Sequence, residues 1–98
     1  MHEITLNGKT YRAVEAKGKR AVVVVDRGWI FAGDVEDRDG RIIITRAIHV
    51  RGWDSIGFDG MVADPKSDKV RLRALAAPVN LPREAELFRV PVADDWGL

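Results

Sequence analysis

The sequence predicts an all-β, mainly antiparallel domain: a small meander of six or seven strands closing to a barrel or a sandwich. Three observations carry that expectation. Gly, Asn and Asp interrupt the first half of the chain every eight to fifteen residues, a spacing of turns between short strands rather than between helices. Between the interruptions lie β-branched runs, Val22 to Val25 and Ile42 to Thr45, which suit a pleated surface. Later, Val70, Leu72 and Ala74 alternate with Lys69, Arg71 and Arg73, the period of a strand with one basic, solvated face. The 98 residues fit a single domain, 1–98. A chain of this size buries roughly 65 % of its unfolded surface, enough for a core without staples.

Each element follows in order. Ile4-Thr5-Leu6 and Lys9 to Val14 flank Asn7-Gly8, a dipeptide that tolerates positive φ and marks a hairpin turn. The valine run is apolar on both pleat faces and reads as a central strand, ending at Asp26-Arg27-Gly28. The next strand passes through Trp29, Phe31 and Val35, with Gly33 as a bulge or a point of close backbone approach. Asp37 to Gly40 turns the chain into the strand Arg41 to Ile48. From Arg51 to Asp68, Gly52, Gly57, Gly60, Pro65 and four aspartates erase both periods. A long loop is expected there, with one short helical turn within 53–58. Pro78 and Pro82 bracket a rigid connection, and Glu84 to Val92 reads as a last strand. Pro91 cannot donate to a ladder and places that strand at an edge, while Ala85-Glu86-Leu87 supply a competing helix over 83–90. The tail carries Trp96, whose large apolar ring is expected to dock on its own body or on a neighbouring subunit.

Composition excludes several classes. Lys+Arg 16 against Asp+Glu 15 gives a net charge of +1, so the whole-molecule field steers the protein neither to DNA nor to an acidic membrane. Charge is nevertheless uneven: 1–33 carry six cations and three acids, 34–68 five and eight, and 69–98 five and four. Arg outnumbers Lys eleven to five; codon bias accounts for such a surplus, but the planar guanidinium fork also suits phosphate and carboxylate. Cys 0 removes disulfides, thiolate catalysis and Cys-based zinc sites and suits a reducing cytoplasm. Met1-His2-Glu3-Ile4 lacks the layout of a signal peptide, and no segment reaches the roughly 18–20 apolar residues of a membrane span. The expectation is a cytoplasmic, unprocessed protein with no membrane partner.

Catalytic and metal chemistry find little support. Gly52-Trp53-Asp54-Ser55-Ile56-Gly57 lacks the glycine spacing of a nucleophile elbow. His49 reads as an ordinary half-buried ring at a strand end rather than as the base for Ser55. Asp34 to Gly40 is acidic, yet a calcium loop with Gly40 as its sixth-position glycine would place Val35 at its first position and Arg46 at its twelfth, where carboxylates are needed. A solvated hairpin tip is the better reading. We therefore expect no catalytic residues, no metal and no cofactor: a binding protein rather than an enzyme.

One pattern points to binding. Arg27-Gly28-Trp29 returns as Arg51-Gly52-Trp53 twenty-four residues later, each with a glycine four residues past the Trp, Gly33 and Gly57. Arginine supplies a fork for phosphate, glycine lets a backbone N–H approach an anion, and tryptophan offers a face on which a base stacks. The competing reading makes Trp29 core and Trp53 the cover of a sheet edge, with both arginines solvated.

These same residues carry a resemblance. From Ala21 to about Pro78, the valine strand, Arg27-Gly28-Trp29-Ile30-Phe31-Ala32-Gly33, the strand Ile42 to Ile48, Arg51-Gly52-Trp53 and the Gly-rich loop resemble a loose group of small phage- and prophage-encoded proteins without assigned activity. The charged loop and the C-terminal end depart from that group. The resemblance implies a phage accessory protein acting in the cytoplasm of a host bacterium, and it transfers no catalytic residues. An anti-defence role follows as an expectation: a sponge that sequesters cyclic nucleotide immune signals, small anionic ligands, in pockets between identical subunits. Arg27 and Arg51 would hold phosphates, Trp29 or Trp53 would stack a base, and Arg71 and Arg73 would add charge. Exposed edges in so small a sheet favour a homo-oligomer. The alternatives are a small-barrel binder of single-stranded nucleic acid, which the eight central acids oppose, and a protein-interaction or inhibitor module anchored by Trp96.

Overall fold

Val22 and Val23 of strand β3 (Arg20–Val25) are both fully buried, so this strand is covered on both faces and organises two cores. In the computed structural model the described residues are 3–6, 9–12 and 19–98, with side chains from Lys19 onward. The first two strands, β1 (Glu3–Leu6) and β2 (Lys9–Arg12), pair antiparallel with Leu6 opposite Lys9. The expected turn at Asn7-Gly8 lies outside the described residues. After β3, a 3-10 turn at Asp26–Gly28 leads into β4 (Trp29–Arg38), and β5 (Arg41–Trp53) returns antiparallel beside it. Helix α1 (Gly57–Ala63) follows, then β6 (Val70–Ala74), β7 (Val79–Pro82), a 3-10 turn at Arg83–Ala85 and β8 (Glu86–Pro91).

All pairings are antiparallel, in the order β6-β5-β4-β3-β8, with β7 on the same outer side of β5 as β6. The thirteen residues of β5 make this sharing possible: β7 pairs with 41–44 and β6 with 48–53. The all-β antiparallel expectation holds. Closure to a barrel does not, because β8 pairs with β3 alone and β6 and β7 pair with β5 alone among the described residues. Both outer strands are poor templates for further pairing. Register slips between Val24 and Val25, leaving Leu87 of β8 as an extra residue, and Pro91 ends that strand; Pro82 ends β7 and the chain breaks between Ala74 and Val79. Bulges and prolines of this kind blunt an edge.

Ala21, Val23 and Val25 pack with Val35, Ile42, Ile44, Ala47 and Leu81 on one face. Val22 packs with Ala32, Ile48, Val50, Met61, Val92 and Trp96 on the other. The helical turn expected within 53–58 lies later, because β5 continues through Trp53 and the helix spans Gly57–Ala63. Phe58, Met61 and Val62, three and four residues apart, turn its apolar side onto the second core, where Met61 is fully buried. Close packing also explains Gly33. Ala32 pairs with Ile48 and Asp34 with Thr45, so Arg46 and Ala47 bulge opposite Gly33. A Cβ there would lie 2.5 Å from Ile44 Cγ2 and 2.7 Å from the Thr45 carbonyl oxygen.

The tail docks on its own body. Trp96 is 6 % exposed and its Nε1 donates to the Val62 carbonyl at 2.8 Å, which overturns its use as an exposed anchor for a partner. Arg20, fully buried, donates from Nε to the Trp96 carbonyl at 2.8 Å and from Nη1 to the Arg46 carbonyl at 3.3 Å. Arg46 grips Asp34 through Nε and Nη2 at 2.6 and 3.0 Å and donates from Nη2 to the Asp94 carbonyl at 2.9 Å.

Candidate functional site

The two Arg-Gly-Trp triplets meet at one end of the sheet. The 3-10 turn holds Arg27 in the left-handed region at φ 68°, with its N–H donating to Asp26 Oδ1 at 2.9 Å. This turn delivers Gly28 to the rim and starts β4 at Trp29. On β5, Val50 pairs with Leu72 and Gly52 with Arg71, so Arg51 is an extra residue that bulges at the same end. Gly28, Ile30, Val50, Arg51, Gly52, Trp53 and Arg71 line an open cavity of about 250 Å³. Its two charged lining residues are both arginines.

The Arg71 guanidinium lies where a Cβ on Gly52 would stand, so a side chain there would push aside the exposed end of Arg71. Arg71 Nη1 donates to Asp54 Oδ1 at 2.8 Å. That hydrogen bond, and then the charge behind it, holds the Asp54 carboxyl below the usual carboxylate range. Arg51 and Arg27 are exposed and form no ion pair with the described residues.

On the opposite face of β4 from the cavity-lining Ile30 stands an aromatic group. Trp29 is 51 % exposed, stacks on Phe31 with centroids 5.9 Å apart and planes within 2°, and meets His49 at 5.2 Å. Phe31 pairs with His49 across β4 and β5, and His49 with Arg73 across β5 and β6. These side chains share one sheet face because pairing residues directly opposite point the same way. Trp53, half-buried, packs edge-on against Phe58 at 5.8 Å.

Three of the six sequence-predicted residues, Arg51, Trp53 and Arg71, therefore share the cavity. Trp29 adjoins it through Gly28 but points to the other face of β4 from Ile30, Arg73 lies along that face opposite His49, and Arg27 sits on the turn. Trp29 is not a core residue. Comparison with protein-family models, curated proteins and solved structures finds no match. Sequence reasoning missed Phe31, His49 and Asp54. Strand alternation from Trp29 points to Phe31, and Asp54 adjoins the second triplet, but His49 joins the group only through the register of β4 against β5. Among the described residues no group of three or more His, Cys, Asp or Glu is placed to hold a metal ion, and no helix is long and apolar enough to cross a membrane.

Proposed function

We propose that this protein is a non-enzymatic binding domain for a small anionic ligand with a flat ring, a nucleotide, held at the rim formed by the start of β4 and the end of β5. The observation that carries the reading is one open cavity lined by Arg51, Gly52 and Trp53 of the second triplet, by Gly28 of the first and by Arg71. Arg51 and Arg71 supply forks for phosphate oxygens, and Trp53 supplies an aromatic ring in the cavity lining. At about 250 Å³ the cavity falls short of the roughly 300–1,000 Å³ of sites that enclose a drug-sized ligand. A cyclic di- or trinucleotide would need a second wall, and a second copy of the chain is the economical source of one. That geometry supports the narrower reading of a phage-type sponge for cyclic nucleotide immune signals in the host cytoplasm.

A single-stranded nucleic acid would use the opposite, aromatic face of Trp29, Phe31 and His49 with Arg73 alongside, and would show affinity rising with chain length and falling with salt. Calorimetric titration separates the two. Cyclic mono-, di- and trinucleotides should bind at micromolar concentration, and Arg51→Glu or Arg71→Glu should weaken binding about tenfold or more, the loss of a charge-assisted hydrogen bond. Absence of heat with every cyclic nucleotide would sink the proposal.

A further inference from the structure

We propose that the base of the bound nucleotide stacks on Phe88, outside the cavity that takes its phosphate, an inference that rests on the nucleotide reading above. The strand register puts this ring on the cavity's side of the sheet. Phe88 of β8 lies opposite Val24 of β3, and Val24 lies opposite Ile30 of β4. Residues paired across neighbouring strands share a face, so Phe88 and Val24 continue a row that begins at the cavity-lining Ile30. Two strand spacings separate its ends, a Cα distance of roughly 10 Å.

Aromatic contacts span the same interval. Trp53, in the cavity lining, meets Phe58 of α1 at 5.8 Å with the planes at 75°, and Phe58 meets Phe88 at 6.0 Å with the planes at 73°. Trp53 and Phe58 are half-buried against the second core, whereas Phe88 is half exposed. Of the three rings it is the one with most surface left for a ligand. Arg51 and Arg71 fix the phosphate inside the cavity. At about 250 Å³ that cavity is smaller than the roughly 300–1,000 Å³ of sites that enclose their ligands, so part of the nucleotide stays outside it. The apolar row from Ile30 to Phe88 gives the base a path out and a ring to rest on. A phenyl ring carries no hydrogen-bonding group, and every base has a π-face. Phe88 therefore tells a nucleotide from a sugar phosphate without telling one base from another.

The test is calorimetric titration of the full chain with 5′-AMP and with ribose 5-phosphate, which share the phosphate and differ by the base; the weaker ligand is measured by displacing the tighter. The wild type should bind AMP roughly fivefold or more tightly than ribose 5-phosphate, the low end of what stacking of a base on an aromatic side chain supplies. Phe88→Ala should bring AMP to within about twofold of ribose 5-phosphate, whose own affinity stays the same, and Phe88→Tyr should keep the wild-type preference because the ring remains. Unchanged AMP affinity in Phe88→Ala, an equal loss for both ligands, a loss as large in Phe88→Tyr, or no AMP binding where a cyclic nucleotide binds overturns the inference while leaving nucleotide binding intact. Binding of neither ligand, together with silence from every cyclic nucleotide, overturns the inference and the proposed function alike.

Discussion

Asp34 carries a heavier electrostatic duty than its exposure suggests. Arg46 grips it with two hydrogen bonds, and the buried Arg20 guanidinium reaches it at 3.5 Å. Arg20 itself is fully enclosed, its cation opposed by burial, and its Nη2 has no partner among the described residues. Asp34→Asn therefore removes the carboxylate that offsets a buried charge, a change that typically costs about 3–5 kcal/mol. Arg20→Met should cost less, about 1–2 kcal/mol, because it withdraws the buried charge itself and leaves the Asp34–Arg46 pair in place. Urea unfolding of the two variants gives the order, and a more damaging Arg20→Met would show that the Trp96 carbonyl depends on Arg20 more than Arg20 depends on Asp34. The pH dependence has a definite sign. The Arg46 hydrogen bond, ahead of its charge and that of Arg20, holds the Asp34 carboxyl below its ordinary range despite partial burial. The unfolded chain, whose carboxyl titrates near about 3.9, takes up the proton first as pH falls. The contribution is thus complete above that value and is lost as pH drops through the lower folded pKa. The stability gap between wild type and Asp34→Asn should narrow below about pH 4.

At the scale of elements, the C-terminal tail acts as a strap across α1 and the sheet. Val92 and Trp96 enter the second core with Met61, and the indole N–H ties the tail to the helix at Val62. A seven-residue helix is too short to persist without such packing. Deleting Asp94 to Leu98 should cost about 3–5 kcal/mol, the range for removing a buried aromatic. Hydrogen exchange should show protection lost first across Gly57–Ala63, while β3 and β4 keep theirs; unchanged protection in the helix would mean that β5 alone holds it. Trp96 also marks where the sequence was legible. Its size demanded a dock, but the dock is made by residues some thirty and seventy positions away, which no local pattern reveals. The valine strand could be read because four β-branched residues in a row have no other stable use. The helix was hidden by Gly57 and Gly60 and by an apolar side of only three residues. The Arg-Gly-Trp pair was visible as chemistry, whereas its convergence depends on an unpredictable extra residue, Arg51, in the pairing of β5 with β6.

For the whole molecule, the open sheet decides how copies can meet. Its outer strands are blunted by the Leu87 bulge, by Pro91 and Pro82 and by the break after Ala74, so edge-to-edge extension is disfavoured. The rim has the opposite character: exposed arginines, Arg51 and Arg71, that repel a second rim until an anion lies between them. Association through the rim should therefore depend on ligand. Light scattering is expected to report the 10.9 kDa chain mass without ligand and twice that mass once a cyclic dinucleotide is added, with one ligand per two chains by calorimetry. Arg51→Glu should abolish both the binding and the mass change, since it reverses the charge that the shared anion bridges. One ligand bound per chain at unchanged mass would mean that each rim is a complete site and that the second wall is unnecessary. A doubled mass before any ligand is added would place the contact elsewhere, on the apolar surface of Leu87 and Phe88, which are 62 % and 50 % exposed, and Leu87→Ser would then restore the single chain.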